Sequence, residues 1–370
     1  MGGGRDLADP FVSNDLPELS SSPPGARAFL WGTVILLTIT VAGLYYVKWG
    51  PYFHRAVVAA AQHTIGVSII SGKAAAPPLV GWQAAWSYTT AYFKAIWQAM
   101  VLGLLIGSGV QALLPRDGLA RVFGASGFRS TAVAGGLSIP SMMCTCCAAP
   151  IAVALRRRRA SVGATLAYWV GNPMLNPATT IFTGFVLGWH WAGLRIAAGA
   201  ALAFGVAHLV GSAKPARGLF IPAASGEAAE EDDASISLMR RWVQTLWQLS
   251  VGLVPEYVVI VVALGAVRIW LFPAVNPAFG HSLWLMVLLA VAGTLFVIPT
   301  AGEIPIVQTL MSFGLGAGGA GALLITLAPV SLPSLVMLSR VVPARALALV
   351  ALSVVVLGLL TGGAAQLLGF

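Results

Sequence analysis

The sequence predicts an all-α polytopic membrane protein, and three observations carry this prediction. The chain of 370 residues is 58% hydrophobic and only 9% charged, with a mean hydropathy of +0.86, whereas soluble domains are about 25% charged. Apolar windows of about 20 residues, the length that crosses a bilayer as a helix, recur along it. The basic residues lie in short loops between these windows, as the positive-inside rule describes. We therefore expect the lipid bilayer, and no nucleic acid, as a partner.

The first 90 residues precede the regular part of the pattern. Residues 1–27 are polar and rich in Pro, Gly and Ser, which predicts a disordered tail. A first transmembrane span follows at about Ala28 to Val47. Residues 50–86 are mixed in character and predict an interfacial helix plus a loop. The segment 28–90 is thus expected to add one span to the rest of the fold.

Residues 91–212 read as one structural repeat. This repeat begins with the second span of the chain, about Tyr92 to Leu114, which carries Gly103 and Gly107 at the GxxxG spacing of closely packed helices. The apolar segments that follow within this repeat are Ser130 to Leu155, Ala160 to Leu187 with a break near Gly171 to Pro177, and Ala192 to Val210.

A polar stretch separates this repeat from a second one. Residues 213–241 contain an acidic run between basic ends and predict a flexible loop. Residues 242–366 then repeat the earlier order. The apolar segments are Val243 to Phe272, Ser282 to Phe313, the span from Ala320 with a break at Ala328 to Pro333, and Leu347 to Leu360.

Prolines recur at a constant offset between the two repeats. Pro173 and Pro177 fall 156 residues before Pro329 and Pro333. Pro150, in AAPIAVAL, has a counterpart 155 residues later in EIPIVQTL. Recurrence of both the residues and their spacing indicates an internal duplication.

Loop charge predicts that the two repeats are inverted. The loops on both sides of Ser130 to Leu155 are basic, whereas those on both sides of Ser282 to Phe313 carry no Lys or Arg. By the positive-inside rule each segment enters and leaves on one side, the first from the cytoplasm and the second from outside. Each repeat then holds one re-entrant, proline-broken hairpin and three full spans. This is a plan of secondary transporters, whose sites lie where discontinuous helices meet near the midplane.

Cys144, Cys146 and Cys147 lie within the first predicted hairpin, between Pro140 and Pro150. Thiolates are soft ligands that suit thiophilic species, so the cluster predicts a substrate-binding site. Free cysteine also packs as a small hydrophobe, and that alternative stays open. No His lies near to complete the four ligands of a structural zinc site, so no metal is expected.

Asn172 and Asn176 occur in GNPMLNP, at the break of the following span. An amide offers donors and acceptors without the desolvation cost of a charge, and the prolines free neighbouring carbonyls to face a substrate. We expect both to line the path, the alternative being that they only satisfy the kinked backbone.

Glu303, in PTAGEIP, is an acid within an apolar segment of the second repeat. A carboxylate at membrane depth is a functional-site hypothesis by default, often as a proton carrier. The alternative places it in water at the mouth of the hairpin. Thr300 and Gln308 would extend a polar path around it, and Glu256 is a second acid within a span.

The motifs resemble those of a known family. Cys144 to Pro150, reading CTCCAAP, looks like the CSCxxxP signature of the ArsP/YraQ-like predicted permeases. Ala160 to Ala167 resembles that family's GA(T/A)LAF stretch, and Gly171 to Pro177 its xxPxxNP break. The resemblance covers roughly residues 90–365 and assigns the family's cysteine pair to Cys144 and Cys146. It implies an inner-membrane permease. Some members of this family export trivalent organoarsenicals, and many have no known substrate.

The predicted function is therefore a secondary transporter that exports a small solute, such as a thiophilic trivalent (organo)arsenical, by alternating access. The sequence contains no Walker A, nucleophile-elbow or HExxH pattern, so neither an enzyme nor a bound cofactor is expected. A transmembrane thiol oxidoreductase and a membrane anchor subunit of a larger complex are the alternatives. A homo-oligomer is compatible with all three.

Overall fold

The fold is known from a computed structural model, which describes residues 25–66, 68–69, 82–114, 116–213, 238–271 and 282–370. Every regular element in these ranges is a helix. The predicted all-α fold is confirmed.

The helices are numbered in chain order. They are α1 (Gly25–Leu44), α2 (Gly50–Gln62), α3 (Trp82–Leu113), α4 (Arg116–Phe123), α5 (Phe128–Ser141), α6 (Thr145–Arg157), α7 (Val162–Met174), α8 (Pro177–Val186), α9 (Trp189–Ala200), α10 (Ala207–Ser212), α11 (Leu238–Leu271), α12 (Leu283–Leu295), α13 (Glu303–Ser312), α14 (Ala317–Thr326), α15 (Leu332–Ser339) and α16 (Ala344–Leu367). Turns of π-helix join α1 to α2 at Tyr45–Trp49 and α9 to α10 at Ala201–Val206.

Several of these helices are long and apolar enough to cross a membrane. Within the described ranges there are five, at Trp31–Gln62, Trp82–Leu113, Trp189–Ser212, Met239–Val267 and Ala344–Leu367. Large apolar side chains such as Trp247, Val259 and Leu352 are exposed on their outer faces. Such a surface suits lipid, and the protein is a multi-pass membrane protein.

The first span is longer than predicted. The sequence places its end at Val47 and an interfacial helix after it, but α1, the π turn and α2 form one continuous helical rod to Gln62. Pro51 has no N–H and would interrupt the α-helical ladder. The π turn before it absorbs the break, with the Gly50 N–H bonded to the Tyr45 carbonyl. The chain therefore passes Pro51 by a change of helix type within one continuous rod.

The boundaries of the predicted polar segments also shift. Residues 25–27 of the predicted tail already belong to α1, and residues 238–241 of the predicted loop belong to α11. The remainder of both segments, and the loop 273–280, lie outside the described residues. The short helix α4 in the first basic loop was not predicted.

Helix α3 forms the centre of the molecule and packs on both α6 and α11. Its GxxxG pair faces α6: a Cβ added to Gly107 would lie 2.9 Å from the Pro150 carbonyl oxygen, and one added to Gly103 closer still to that of Cys147. Only glycine lets the two backbones approach so closely. Tyr92 meets Tyr257 of α11 by a hydroxyl contact of 2.5 Å. The cysteine helix is thus held against the core by backbone-to-backbone packing.

The broken helices recur in the predicted order. A helix, a short non-helical link and a second helix occur as α5–α6 and α7–α8, and again as α12–α13 and α14–α15. The basic turns that follow α6 and α15 lie near each other: burial lowers the pKa of the Arg157 guanidinium, and the neighbouring Arg340 charge lowers it further. The inverted orientation of the repeats and the re-entry of α5–α6 and α12–α13 stay predictions.

Candidate functional site

The link between α5 and α6 is shaped by Asn172 of α7. Met142 adopts a left-handed conformation with φ of 48°, which ends α5. The Asn172 Oδ1 accepts hydrogen bonds from the Ser141 hydroxyl and, at 3.3 Å, from the Met143 N–H. Its Nδ2 donates to the Tyr168 carbonyl at 2.8 Å. The buried amide therefore satisfies the backbone of the neighbouring break, in addition to its own helix.

The three cysteines sit at the start of α6 and are free thiols, all of them buried. The Cys144 and Cys147 sulfurs are 2.9 Å apart, within hydrogen-bonding distance. The Cys146 sulfur points elsewhere, 3.3 Å from the Ser331 hydroxyl and 3.8 Å from that of Thr145. The cluster is thus divided into a pair and a separate thiol that faces the start of α15.

The link between α12 and α13 lies opposite. Residues 296–302 are not helical, and Ala301 has a φ of 67°. The Gly302 N–H closes a tight turn on the Pro299 carbonyl at 2.9 Å. Glu303 follows as the first residue of α13 and is 2% exposed. The alternative that this carboxylate lies in water at the mouth of a hairpin is therefore wrong.

Lys48, from the π turn of the first span, reaches this second link. Its Nζ donates to the Thr300 hydroxyl at 3.1 Å and to the Tyr52 hydroxyl at 3.2 Å. Only 4% of the lysine is exposed. A cation from the first span is therefore buried at the break of the second repeat.

Arg195 of α9 neutralises Glu303. The Arg195 Nη2 lies 2.7 Å from the Glu303 Oε1, and both side chains are buried. The guanidinium also donates to the Pro173 carbonyl at 2.8 Å and to the Leu324 carbonyl at 3.4 Å. These carbonyls belong to the final turns of α7 and α14, so Arg195 ties both broken spans to Glu303.

A small cavity lies where these elements meet, with room for about one water molecule. Its walls come from α6, the end of α7, the link before α13 and the link after α14. The lining residues are Cys144, Pro173, Ile298, Pro299, Thr300, Ala301, Glu303 and Ala328. The structure thus brings the predicted residues Cys144, Thr300 and Glu303 together across the two repeats.

Other predicted site residues lie away from this cavity. Asn172 is behind its wall, next to Pro173. The Asn176 Oδ1 caps α8 by accepting from the N–H groups of Ala178 at 3.0 Å and Thr179 at 3.3 Å. The Gln308 amide donates to the His63 carbonyl at 3.1 Å and is half-buried. Asn176 therefore holds a helix start, and Gln308 anchors the end of the first span.

Glu256 is separate from the site as well. It pairs with Arg340, and both side chains are more than a third exposed. Within the described ranges, no group of three or more His, Cys, Asp or Glu side chains is arranged to hold a metal ion. The chemistry of the cavity therefore rests on thiols, hydroxyls and the buried charges.

Sequence reasoning missed Lys48, Arg195 and Ser331. Lys48 falls one residue beyond the predicted end of the first span, which was placed too early. Arg195 is a lone basic residue inside an apolar segment, the same signal that identified Glu303. Ser331 has no comparable signal, since serine is common at helix starts, where it caps α15 here.

Comparison with known proteins gives a consistent result. The model of a family described as a predicted permease matches residues 30–171 and 141–367. The sequence-level resemblance began near residue 90, so the match extends it to the first span. No solved structure matches the chain.

Two proteins of similar sequence extend this comparison. The UPF0718 protein YraQ of Escherichia coli strain K12 is 47% identical over 348 residues, which cover 94% of this chain and 99% of that protein. The UPF0718 protein MJ0584 of Methanocaldococcus jannaschii is 20% identical over 313 residues, covering 66% of this chain and 84% of that protein. The similarity to YraQ thus covers nearly all of the chain, and the family match includes the first span, the cavity residues and both sets of broken helices.

Proposed function

The chain belongs to the ArsP/YraQ-like family of predicted permeases, and we propose that it is a secondary transporter that exports a small solute across the inner membrane by alternating access. Its substrate is a small thiophilic compound, with trivalent (organo)arsenicals as the leading class. The protein acts as a transporter and not as an enzyme.

The observation that carries this proposal is the cavity shared by the two repeats. Cys144 comes from the broken element of the first repeat, and Thr300 and Glu303 come from that of the second. Transporter sites form where discontinuous helices meet, because broken backbone is tolerated at membrane depth only where it is buried in protein or lines a cavity. A thiol beside polar groups at such a point suits a soft solute with polar substituents.

The small volume of the cavity fits a state closed to both sides. Arg195 holds the ends of α7 and α14 and contacts Glu303 at the same time. A solute can pass only if some of these contacts break, so we expect the ion pair to be a latch between the broken spans. Protonation of Glu303 would remove the charge that holds Arg195, which is a direct way to couple opening to protons.

The cysteine contribution is tested by a resistance assay. A Cys144→Ser/Cys146→Ser double variant should lose the resistance to trivalent organoarsenicals that the wild type confers on a sensitive strain. Membrane levels of both proteins, compared by immunoblot, serve as the control. Full resistance in the double variant would exclude ligation by these thiols.

Proton coupling is tested in everted membrane vesicles. Glu303→Gln should abolish the pH dependence of solute accumulation, because the amide cannot exchange a proton. Glu256→Gln is the matched control, since this acid lies outside the cavity, and it should keep the wild-type profile. An unchanged profile in the Glu303 variant would remove Glu303 from the coupling mechanism.

One observation favours a second function. The 2.9 Å approach of the Cys144 and Cys147 sulfurs is the starting geometry of a thiol oxidoreductase. All three cysteines of the chain lie in this cluster, so electron transfer across the membrane would need a thiol from a partner protein. Trapping a mixed disulfide with such a partner in Cys144→Ser or Cys147→Ser variants would favour this alternative over transport.

A further inference from the structure

Three buried side chains in the described part of the chain carry a formal charge. They are Lys48, Arg195 and Glu303, exposed by 4%, 0% and 2%. Arg195 and Glu303 cancel each other at 2.7 Å, which leaves the ammonium of Lys48 with two neutral hydroxyls as hydrogen-bond partners. A buried charge is unfavourable unless an opposite charge lies near it. One anion beside Lys48 would therefore balance the charge of the site.

The thiols next to Lys48 can supply that anion. The Cys144 and Cys147 sulfurs lie 2.9 Å apart and can share a single proton. The Thr300 hydroxyl accepts from Lys48 at 3.1 Å and lines the same small cavity as Cys144, so it places the cation beside the pair. Tyr52 accepts a second hydrogen bond from the ammonium at 3.2 Å.

Cys146 has different contacts from those of the Cys144 and Cys147 pair. Its sulfur lies 3.3 Å from the Ser331 hydroxyl and 3.8 Å from that of Thr145. No cation takes part in these described contacts, so Cys146 lacks the partner that favours a thiolate.

We propose that Cys144 and Cys147 act as one thiol–thiolate pair with Lys48 as its counter-ion, and that this pair, without Cys146, is the two-point ligand for a soft trivalent electrophile. The inference rests on the proposed transport function for its biological meaning, and its chemistry can be tested without transport. It departs from the family resemblance, which pairs Cys144 with Cys146. It also makes the first span part of the site.

The binding step is a ligand exchange without oxidation. An organoarsonous acid, R–As(OH)₂, exchanges its two As–O bonds for As–S bonds to Cys144 and Cys147. The pair brings one proton, so one oxygen leaves as water and the other as hydroxide. Arsenic remains trivalent throughout. The hydroxide takes over the role of counter-ion to Lys48 until it is neutralised or released.

The pairing is tested with phenylarsine oxide on the full-length protein, purified in detergent and reduced. Thiols still reactive to a maleimide after titration are counted by intact mass spectrometry. The wild type should lose two of its three reactive thiols, and Cys146→Ser should lose both that it retains. Cys144→Ser and Cys147→Ser should bind about 100-fold more weakly, because they replace two-point by one-point attachment. Strong binding by Cys147→Ser with weak binding by Cys146→Ser, or no protection in the wild type, would overturn the proposal.

The counter-ion is tested by thiol reactivity in a Cys146→Ser background. Lys48→Met should slow alkylation at neutral pH by about tenfold, because the thiolate loses its cation. Lys48→Arg should restore most of the rate, which a purely structural role of the lysine would not predict. Lys94→Met, which changes an exposed lysine of α3, is the matched control. Equal rates in Lys48→Met and Lys94→Met would exclude Lys48 as the counter-ion.

These outcomes separate this inference from the proposed function. Arsenical binding at Cys144 and Cys147 without export from cells would keep the ligand pair and reject the transport substrate. Export that depends on Cys146 and not on Cys147 would keep the transporter and reject the pair.

Discussion

Replacement of Gly103 by alanine tests whether close packing of α3 on α6 holds the cysteine pair in place. The added Cβ would fall inside contact distance of the Cys147 carbonyl oxygen. Carbon and oxygen atoms require more than 3 Å, so the two backbones would have to separate by roughly 1 Å. The clashing atom belongs to the backbone of a helix and cannot rotate away, unlike the end of a flexible side chain.

The expected cost follows from this geometry. Overpacking of a tight interior costs about 1–3 kcal/mol, while exchange of a helical glycine for alanine stabilises by about 0.5–1 kcal/mol. Gly136→Ala in α5 isolates the first effect, since nothing lies within 4 Å of a Cβ added there. The free energy of unfolding of the Gly103 variant should therefore fall below that of the Gly136 variant by about 1–3 kcal/mol.

The assay combines stability with thiol chemistry. Unfolding is followed by titration with denaturing detergent in mixed micelles, and phenylarsine oxide binding is measured on the same preparations. Displacement of the first turn of α6 should weaken two-point binding in the Gly103 variant and leave the Gly136 variant unchanged. If the two variants share the same unfolding free energy and the same binding, the backbone contact at Cys147 does not exist as described.

The other predictions concern the buried polar groups. Glu303→Gln should lower the free energy of unfolding by about 3–5 kcal/mol, because it leaves the Arg195 charge buried without its partner. Glu256→Gln is the control: its pair is more than a third exposed, so the free energy of unfolding should change by at most about 1 kcal/mol. Equal losses in the two variants would contradict the burial of the Arg195–Glu303 pair. An Arg195→Gln/Glu303→Gln double variant should recover stability relative to the sum of the single changes, which a double-mutant cycle measures; simple additivity would exclude the ion pair. Asn172→Ala should cost about 1–3 kcal/mol through the unsatisfied Met143 N–H and its neighbours, as measured by the same titration, and a neutral effect would show that the α5–α6 link does not depend on this amide.

Much of the fold could be predicted because helix length and apolarity are local properties. The span of Tyr92 to Leu114 and the breaks near Gly171 to Pro177 and at Ala328 to Pro333 follow from hydropathy and from proline chemistry. The structure has helix α3 over the first, and non-helical links between α7 and α8 and between α14 and α15. The first span was predicted to end at Val47, but a π turn lets the helix continue past Pro51. That adjustment depends on neighbouring backbone geometry, which periodicity does not record.

The candidate site was predictable in part for a similar reason. Cys144 and Glu303 stand out because a thiol cluster and a lone carboxylate are unusual in an apolar chain, and the structure places both at one cavity. The partners Lys48 and Arg195 come from helices distant in sequence, and nothing local to either residue indicates which group it meets.

The sequence alone therefore determined the all-α membrane fold, the positions of the broken helices and the residue types available for chemistry, since each depends on local composition and spacing. Only the tertiary structure decided that Cys144 approaches Cys147 while Cys146 faces Ser331, and that the first span brings a cation to Thr300, which lines the same cavity as Cys144. Cys146 and Cys147, two and three positions after Cys144, point in different directions from the helix, and which of them meets a partner depends on the packing of α3, α6 and α15. Contacts between distant segments are set by that packing, so they become visible only when the helices are assembled.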